Sequence, residues 1–93
     1  MKHMNKTLKN KAIRRLKIAE GQIRGLQKMV KEDKYCVDII IQSLAIKEAL
    51  SRVEELLLEK HLSTHVVQQM KSGKQDKAIR EILKIYRLSK RRL

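Results

Sequence analysis

Residues 35–70, YCVDIIIQSLAIKEALSRVEELLLEKHLSTHVVQQM, contain neither proline nor glycine, and their reading decides the fold. The β-branched opening at Val37, Ile39, Ile40 and Ile41 has the composition of a strand. The uninterrupted run is far too long for one, because strands in globular proteins rarely exceed about ten residues. The stretch therefore predicts one long helix from about 35 to 70. Its apolar positions, from Val37 through Leu44, Leu50 and Val53 to Leu62, cover more of the helix surface than the rest of so short a chain can bury. A second copy related by a two-fold axis is the simplest cover, so the expected core is an antiparallel helical-bundle dimer.

Upstream, the polar break KEDK at 31–34 separates this helix from another. Beginning at Leu8, the apolar positions Ala12, Leu16, Ala19, Ile23, Leu26 and Val30 advance by fours and threes, the seven-residue rhythm of helix packed on helix. This predicts helix one over about 7–31. Gly21 and Gly25 lie on it, where each costs about 1 kcal/mol relative to alanine, so a closely packed neighbour is expected there. Downstream, KSGKQD at 71–76 supplies a stop at Gly73, with Ser72 or Asp76 as candidate caps for the next element. Helix three is predicted over about 75–89 with an apolar face of Ile79, Ile82, Leu83 and Tyr86, and KRRL at 90–93 reads as a frayed end. The fold class is all-α, with three helices in a single domain spanning 1–93.

The 93 residues lack Pro, Phe and Trp and include one cysteine, so no disulfide forms within the chain. With no secretory-type opening and no apolar run long enough to cross a bilayer, the expectation is a cytoplasmic protein without a membrane partner. The net charge of +13 is segregated: +9 over residues 1–31, −2 over 32–71 and +6 over 72–93. Lys9, Lys11, Arg14, Arg15, Lys17, Arg24, Lys28 and Lys31 surround the apolar stripe of helix one, with Glu20 the only acid among them. Cations at this density, unmixed with acids, fit phosphate neutralisation. The scarcity of aromatics disfavours base stacking on single strands, leaving duplex DNA as the expected partner.

The lone cysteine, Cys36, begins the long helix, and His61 and His65 lie four apart near its end. Imidazoles at that spacing project from one face and can grip one ion. A thiolate added to them suits copper, zinc, nickel or cobalt rather than magnesium or calcium. Twenty-five residues of helix, at about 1.5 Å each, put Cys36 roughly 37 Å from His61, so one chain cannot close the site. Two antiparallel chains can, with Cys36 of one copy beside His61 and His65 of the other. His3, near the amino end, is a candidate fourth ligand.

The segments RRLKIAEGQIRGLQKMV (14–30), YCVDIIIQ (35–42) and HLSTHVV (61–67), at these separations, resemble the CsoR/RcnR family of metal-responsive transcriptional repressors over nearly the whole chain. The resemblance implies a disc-shaped homotetramer built from such dimers. It also implies operator binding by the apo protein across the basic helix-one surfaces, with release when metal binds. Cys36 and His61 match the ligand positions of the copper sensors, whereas His65 stands where those sensors carry a second Cys, a feature shared with nickel and cobalt sensors. Tyr35 and Glu81 match the copper sensors' outer shell, which is implied to hydrogen-bond the far nitrogen of the metal-bound histidine. On these matches Cu(I) is the expected metal, in a trigonal site, with Ni(II), Co(II) or Zn(II) as alternatives. A small helical enzyme of the chorismate-mutase type is disfavoured, because the cations spread over both ends instead of converging on a pocket for a small organic substrate. A metal-independent basic DNA-binding protein is the remaining rival.

Overall fold

A computed structural model describes residues 6–91, and every regular element among them is helical. These are α1 (Lys6–Lys31), α2 (Cys36–Lys60), α3 (Val67–Lys71) and α4 (Gln75–Ser89), with a π-helical turn, His61–Val66, between α2 and α3. The all-α class and the bounds of the first and last helices agree with the sequence pattern. His3 and the tail at 92–93 lie outside the described residues.

The long helix expected over 35–70 differs at one place, the π-helical turn. Lys60 (φ −63°, ψ −43°) and Val66 (φ −64°, ψ −44°) keep right-handed helical dihedrals, so the hydrogen-bond register widens there without a break in the helix. The Ser63 hydroxyl donates to the Lys60 carbonyl over 3.3 Å, a side-chain bond that competes for an acceptor of the regular ladder. Isolated π-turns of this kind tend to occur at functional sites, and this one holds both histidines.

Two reverse turns end helices in the same way. After α1, Asp33 adopts φ 54°, and Lys34 N–H donates to Met29 O while Asp33 N–H donates to Val30 O. After α3, Gly73 adopts φ 73°, and Lys74 N–H donates to Gln69 O while Gly73 N–H donates to Met70 O. Both are paired bonds that satisfy the last carbonyls through one left-handed residue. Gly73 acts as expected, but neither Ser72 nor Asp76 caps α4. The cap position is Lys74 without a side-chain bond, and the Ser72 hydroxyl turns back to the Gln68 carbonyl over 2.6 Å.

The chain divides into two compact units, residues 1–58 and 59–93. In the first, α1 buries Ala12 and Ala19 and α2 buries Ile46 and Val53, each pair seven residues apart as heptad packing requires. Leu16, Ala19 and Ile23 of α1 line one groove together with Leu50 of α2. In the second unit α3 lies against α4, which buries Ala78. Apolar burial stops there: Ile40, Ile41 and Leu44 on α2 are each more than half exposed, as is Ile18 on α1. Gly21 and Gly25 find no neighbour, since a Cβ added at either would meet nothing within 4 Å. The close packing expected at these glycines is not supplied by the described chain.

Candidate metal centre and basic helix

The π-helical turn brings His61 and His65 together. Their Nδ1 atoms are 3.2 Å apart and their ring centroids 5.2 Å apart, with planes tilted by 57°. At that distance one Nδ1–H donates to the other nitrogen, in an order set by the tautomers. The pair also fits a shared ion. Nitrogen–metal bonds of about 2.0–2.1 Å from two atoms 3.2 Å apart subtend about 100–106°. A trigonal angle of 120° needs a separation of about 3.5 Å, only a few tenths of an ångström more.

Glu81, on α4, approaches the other side of His61. Its Oε1 is 3.8 Å from His61 Nε2, a distance for charge attraction but too long for a hydrogen bond, and that nitrogen is buried without a hydrogen-bond partner. With Nδ1 facing the shared position, Nε2 is the far nitrogen, and the carboxylate stands where it can accept the proton that fixes the ligating tautomer. The same Oε1 accepts a 2.9 Å bond from Gln69 Nε2 on α3. That bond is the main cause holding the Glu81 carboxyl below the ordinary glutamate range, opposed by desolvation and assisted by Lys77, His61 and His65.

Gln69 is a residue that the sequence reading passed over. Its signal lay in position: His61, His65 and Gln69 follow one another at four-residue steps, so a polar residue continues the histidine face.

Of the other expected site residues, Cys36 is exposed and is the first residue of α2. Tyr35 is 68% exposed, and its carbonyl accepts from the backbone N–H groups of Asp38 and Ile39, opening α2. Both belong to the first compact unit, whereas His61, His65 and Glu81 belong to the second. Among the described residues no three His, Cys, Asp or Glu side chains form a group able to hold a metal ion. The structure therefore unites His61, His65 and Glu81 within the second unit.

On α1, Lys9, Lys11, Arg14, Lys17, Arg24 and Lys28 are exposed and Arg15 is half-buried. Lys28 reaches Glu32 at 4.0 Å, an exposed pair too weak to withdraw the charge from other partners. The first turn of α1 has no acid, and its last turn carries Lys28 and Lys31. Among the described residues no helix is long and apolar enough to cross a membrane.

A helix able to track phosphates and an imidazole pair suited to a borderline or soft metal, on one short all-helical chain, define a class in which metal ligation and nucleic-acid binding are combined. The chain belongs to the metal-sensitive transcriptional repressor family, whose model matches residues 8–87. It is 40% identical over 87 residues to the copper-sensing transcriptional repressor CsoR of Bacillus subtilis, covering 94% of this chain and 86% of that protein. It is 42% identical over 65 residues to the copper-sensing repressor RicR of Mycobacterium tuberculosis, covering 70% and 68%. Among solved structures, the copper-sensing repressor CsoR with Cu(I) from Geobacillus thermodenitrificans matches with a TM-score of 0.90 at 35% identity, over 98% of this chain and 95% of that one.

Proposed function

We propose that this protein is a copper-responsive repressor of the cytoplasm that binds duplex operator DNA in its metal-free state and loses DNA affinity when Cu(I) is bound. The observation that carries this reading is the His61–His65 pair, with Nδ1 atoms 3.2 Å apart and the Glu81 carboxylate 3.8 Å from the far nitrogen of His61. Cys36 of a second copy completes the donor set, making one thiolate and two imidazoles, which Cu(I) accepts in a three-coordinate arrangement. The exposed apolar surface of α2 supports pairing of copies, since each fully buried Ile or Leu contributes about 1.5–3 kcal/mol. The resemblance to the family extends this pairing to a tetramer.

His61 and His65 grip the ion, Glu81 closes on His61 Nε2 to accept its proton when metal binds, and Tyr35 of the copy that supplies Cys36 is a second acceptor or donor at the same shell. Because Glu81 lies on α4 and is tied to α3 through Gln69, tightening of the His61 Nε2–Glu81 contact draws on both helices. Linkage makes the response reciprocal: a coupling of about 1–3 kcal/mol changes DNA affinity about 5- to 150-fold. α1 supplies the phosphate contacts through Lys9, Lys11, Arg14, Arg15, Lys17, Arg24 and Lys28. These contacts fix position on the duplex, and DNA shape contributes to choice of site. The reading entails no catalytic step.

Anaerobic titration of the reduced protein with Cu(I), Ni(II) and Co(II), following metal absorption together with release of a labelled promoter fragment, tests the proposal. Cu(I) is expected to release the fragment at about one equivalent per subunit, and His61→Ala is expected to retain DNA binding while losing release. Release by Ni(II) or Co(II) alone would assign the nickel- or cobalt-sensing function, and indifference to all three would leave a metal-independent DNA binder.

A further inference from the structure

We infer that the face of α4 formed by Arg80, Lys84 and Arg87, continued by Arg91 just past the helix end, is a second surface for the phosphate backbone of duplex DNA, additional to α1. The inference rests on the operator-binding reading above and extends it to the other end of the chain. The four residues follow one another by four, three and four positions. At about 100° per residue Arg80, Lys84 and Arg87 fall within an arc of about 60°, and Arg91 follows two residues beyond the end of the helix at Ser89. They line one open groove of about 530 Å³ together with Leu83 and Leu88.

The inward-packed side of α4 lies elsewhere. Ala78 is buried, and Ala78, Ile82 and Ile85 project roughly opposite the cationic arc. The cations are therefore not the incidental rim of a packed face, because they occupy a face of their own. On a solvated surface such residues commonly pair with acids one turn away, the place Asp76 holds relative to Arg80. Here the described ion pairs are Lys28–Glu32, Lys34–Glu32, Arg52–Glu48 and the His61–Glu81 approach, and none uses these four side chains.

The occupant is set by charge and spacing. The helical part of the stripe, Arg80 to Arg87, is about 10 Å long at 1.5 Å per residue, and with Arg91 the stripe carries four cations against one acid, Asp76, a turn before Arg80. A B-form duplex presents a backbone charge for about every 1.7 Å of its axis, so a stripe of this length faces several phosphates at once. Leu83 and Leu88 border the cations with low-dielectric walls, which strengthens their field toward an anion. Three of the four are Arg, whose fork matches two phosphate oxygens. A protein that already carries +9 over residues 1–31 engages a long polyanion more fully if its second basic segment, +6 over residues 72–93, lies on the same ligand.

The test uses the full-length, metal-free protein with a labelled duplex promoter fragment and a scrambled duplex of equal length, measured from low to moderate salt. Each phosphate contact contributes about 0.9 to the slope of log affinity against log salt. The Lys84→Gln/Arg87→Gln variant is expected to lower that slope by about 1.8 for each subunit engaged, on both duplexes. It should bind about 10- to 60-fold more weakly at 0.1 M salt. Lys84→Arg/Arg87→Lys, which keeps the charge, is expected to restore slope and affinity, and matching far-UV circular dichroism establishes that both variants fold. A Gln variant with wild-type slope, beside an Arg14→Ala/Arg15→Ala variant whose slope falls, would overturn the α4 surface and leave the operator-binding reading intact. Failure of the wild-type protein to bind either duplex would overturn both.

Discussion

Replacing Cys36 by Ala in one population of subunits and His61 by Ala in another removes a different donor from each chain, and mixing the two separates a shared site from one built within a chain. Cys36 is the first residue of α2 and His61 follows its last, so the two are separated by a 25-residue helix about 37 Å long at 1.5 Å per residue. If the site is shared, each variant alone binds no Cu(I) tightly. In a mixed dimer, one of the two sites lacks both donors, while the other combines Cys36 from the His61→Ala subunit with His61 from the Cys36→Ala subunit and is whole. Random pairing makes about half of the dimers mixed, each with one intact site out of two, so the mixture recovers about one quarter of wild-type capacity. Equimolar subunits unfolded together in denaturant, refolded anaerobically and titrated with Cu(I) against a competing chelator give this fraction directly. Far-UV circular dichroism of each variant checks that helix content is retained. A mixture that binds no more than the separate variants would refute the shared site, and so would full capacity in either variant alone.

Three further outcomes follow from the geometry. Glu81→Ala removes the carboxylate 3.8 Å from His61 Nε2 and should weaken Cu(I) binding about 10- to 100-fold; an unchanged affinity in the chelator competition would remove Glu81 from the site. Two glycines should respond with opposite signs. Gly73→Ala, at φ 73°, should destabilise the chain by about 1 kcal/mol or more, whereas Gly25→Ala, whose Cβ meets nothing within 4 Å, should stabilise helix α1 by up to about 1 kcal/mol. Urea denaturation measures both, and a loss of stability in Gly25→Ala would indicate that another molecule packs against that face. The last outcome concerns acid. The hydrogen bond from Gln69 holds the Glu81 carboxyl below the ordinary glutamate range, so the unfolded chain takes up the proton first as pH falls. Its stabilising contribution is complete above the ordinary value near 4.3 and is lost as pH drops through the lower folded value. Between pH 5 and pH 3 the melting temperature of the metal-free wild type should therefore fall further than that of Glu81→Gln, and parallel curves would contradict this.

Much of this protein is written in local pattern. The absence of breakers between Tyr35 and Met70, the heptad steps from Ala12 to Val30 and the glycine at 73 determined the helices and most of their ends, because helix periodicity and left-handed turn geometry depend on near neighbours in the chain. The i,i+4 relation of His61 and His65 was legible for the same reason, as was the concentration of cations on α1. The Asp33 turn escaped notice because aspartate adopts φ > 0 only when the flanking bonds to Met29 and Val30 compensate it. The π-helical turn also escaped, since a change of hydrogen-bond register leaves no periodic trace over six residues.

Tertiary structure alone decided what lies against the histidine pair. Gln69 and Glu81 are twelve residues apart on different helices, and only the packing of α3 on α4 brings their side chains to 2.9 Å and turns the carboxylate toward His61. Likewise, the sequence by itself could offer Gly21 and Gly25 as a place for close approach, but whether anything approaches is a matter of packing across distant segments. Within the described chain nothing does. Local spacing fixes which groups share a face, and the meeting of faces is set by burial between elements that no short stretch of sequence contains.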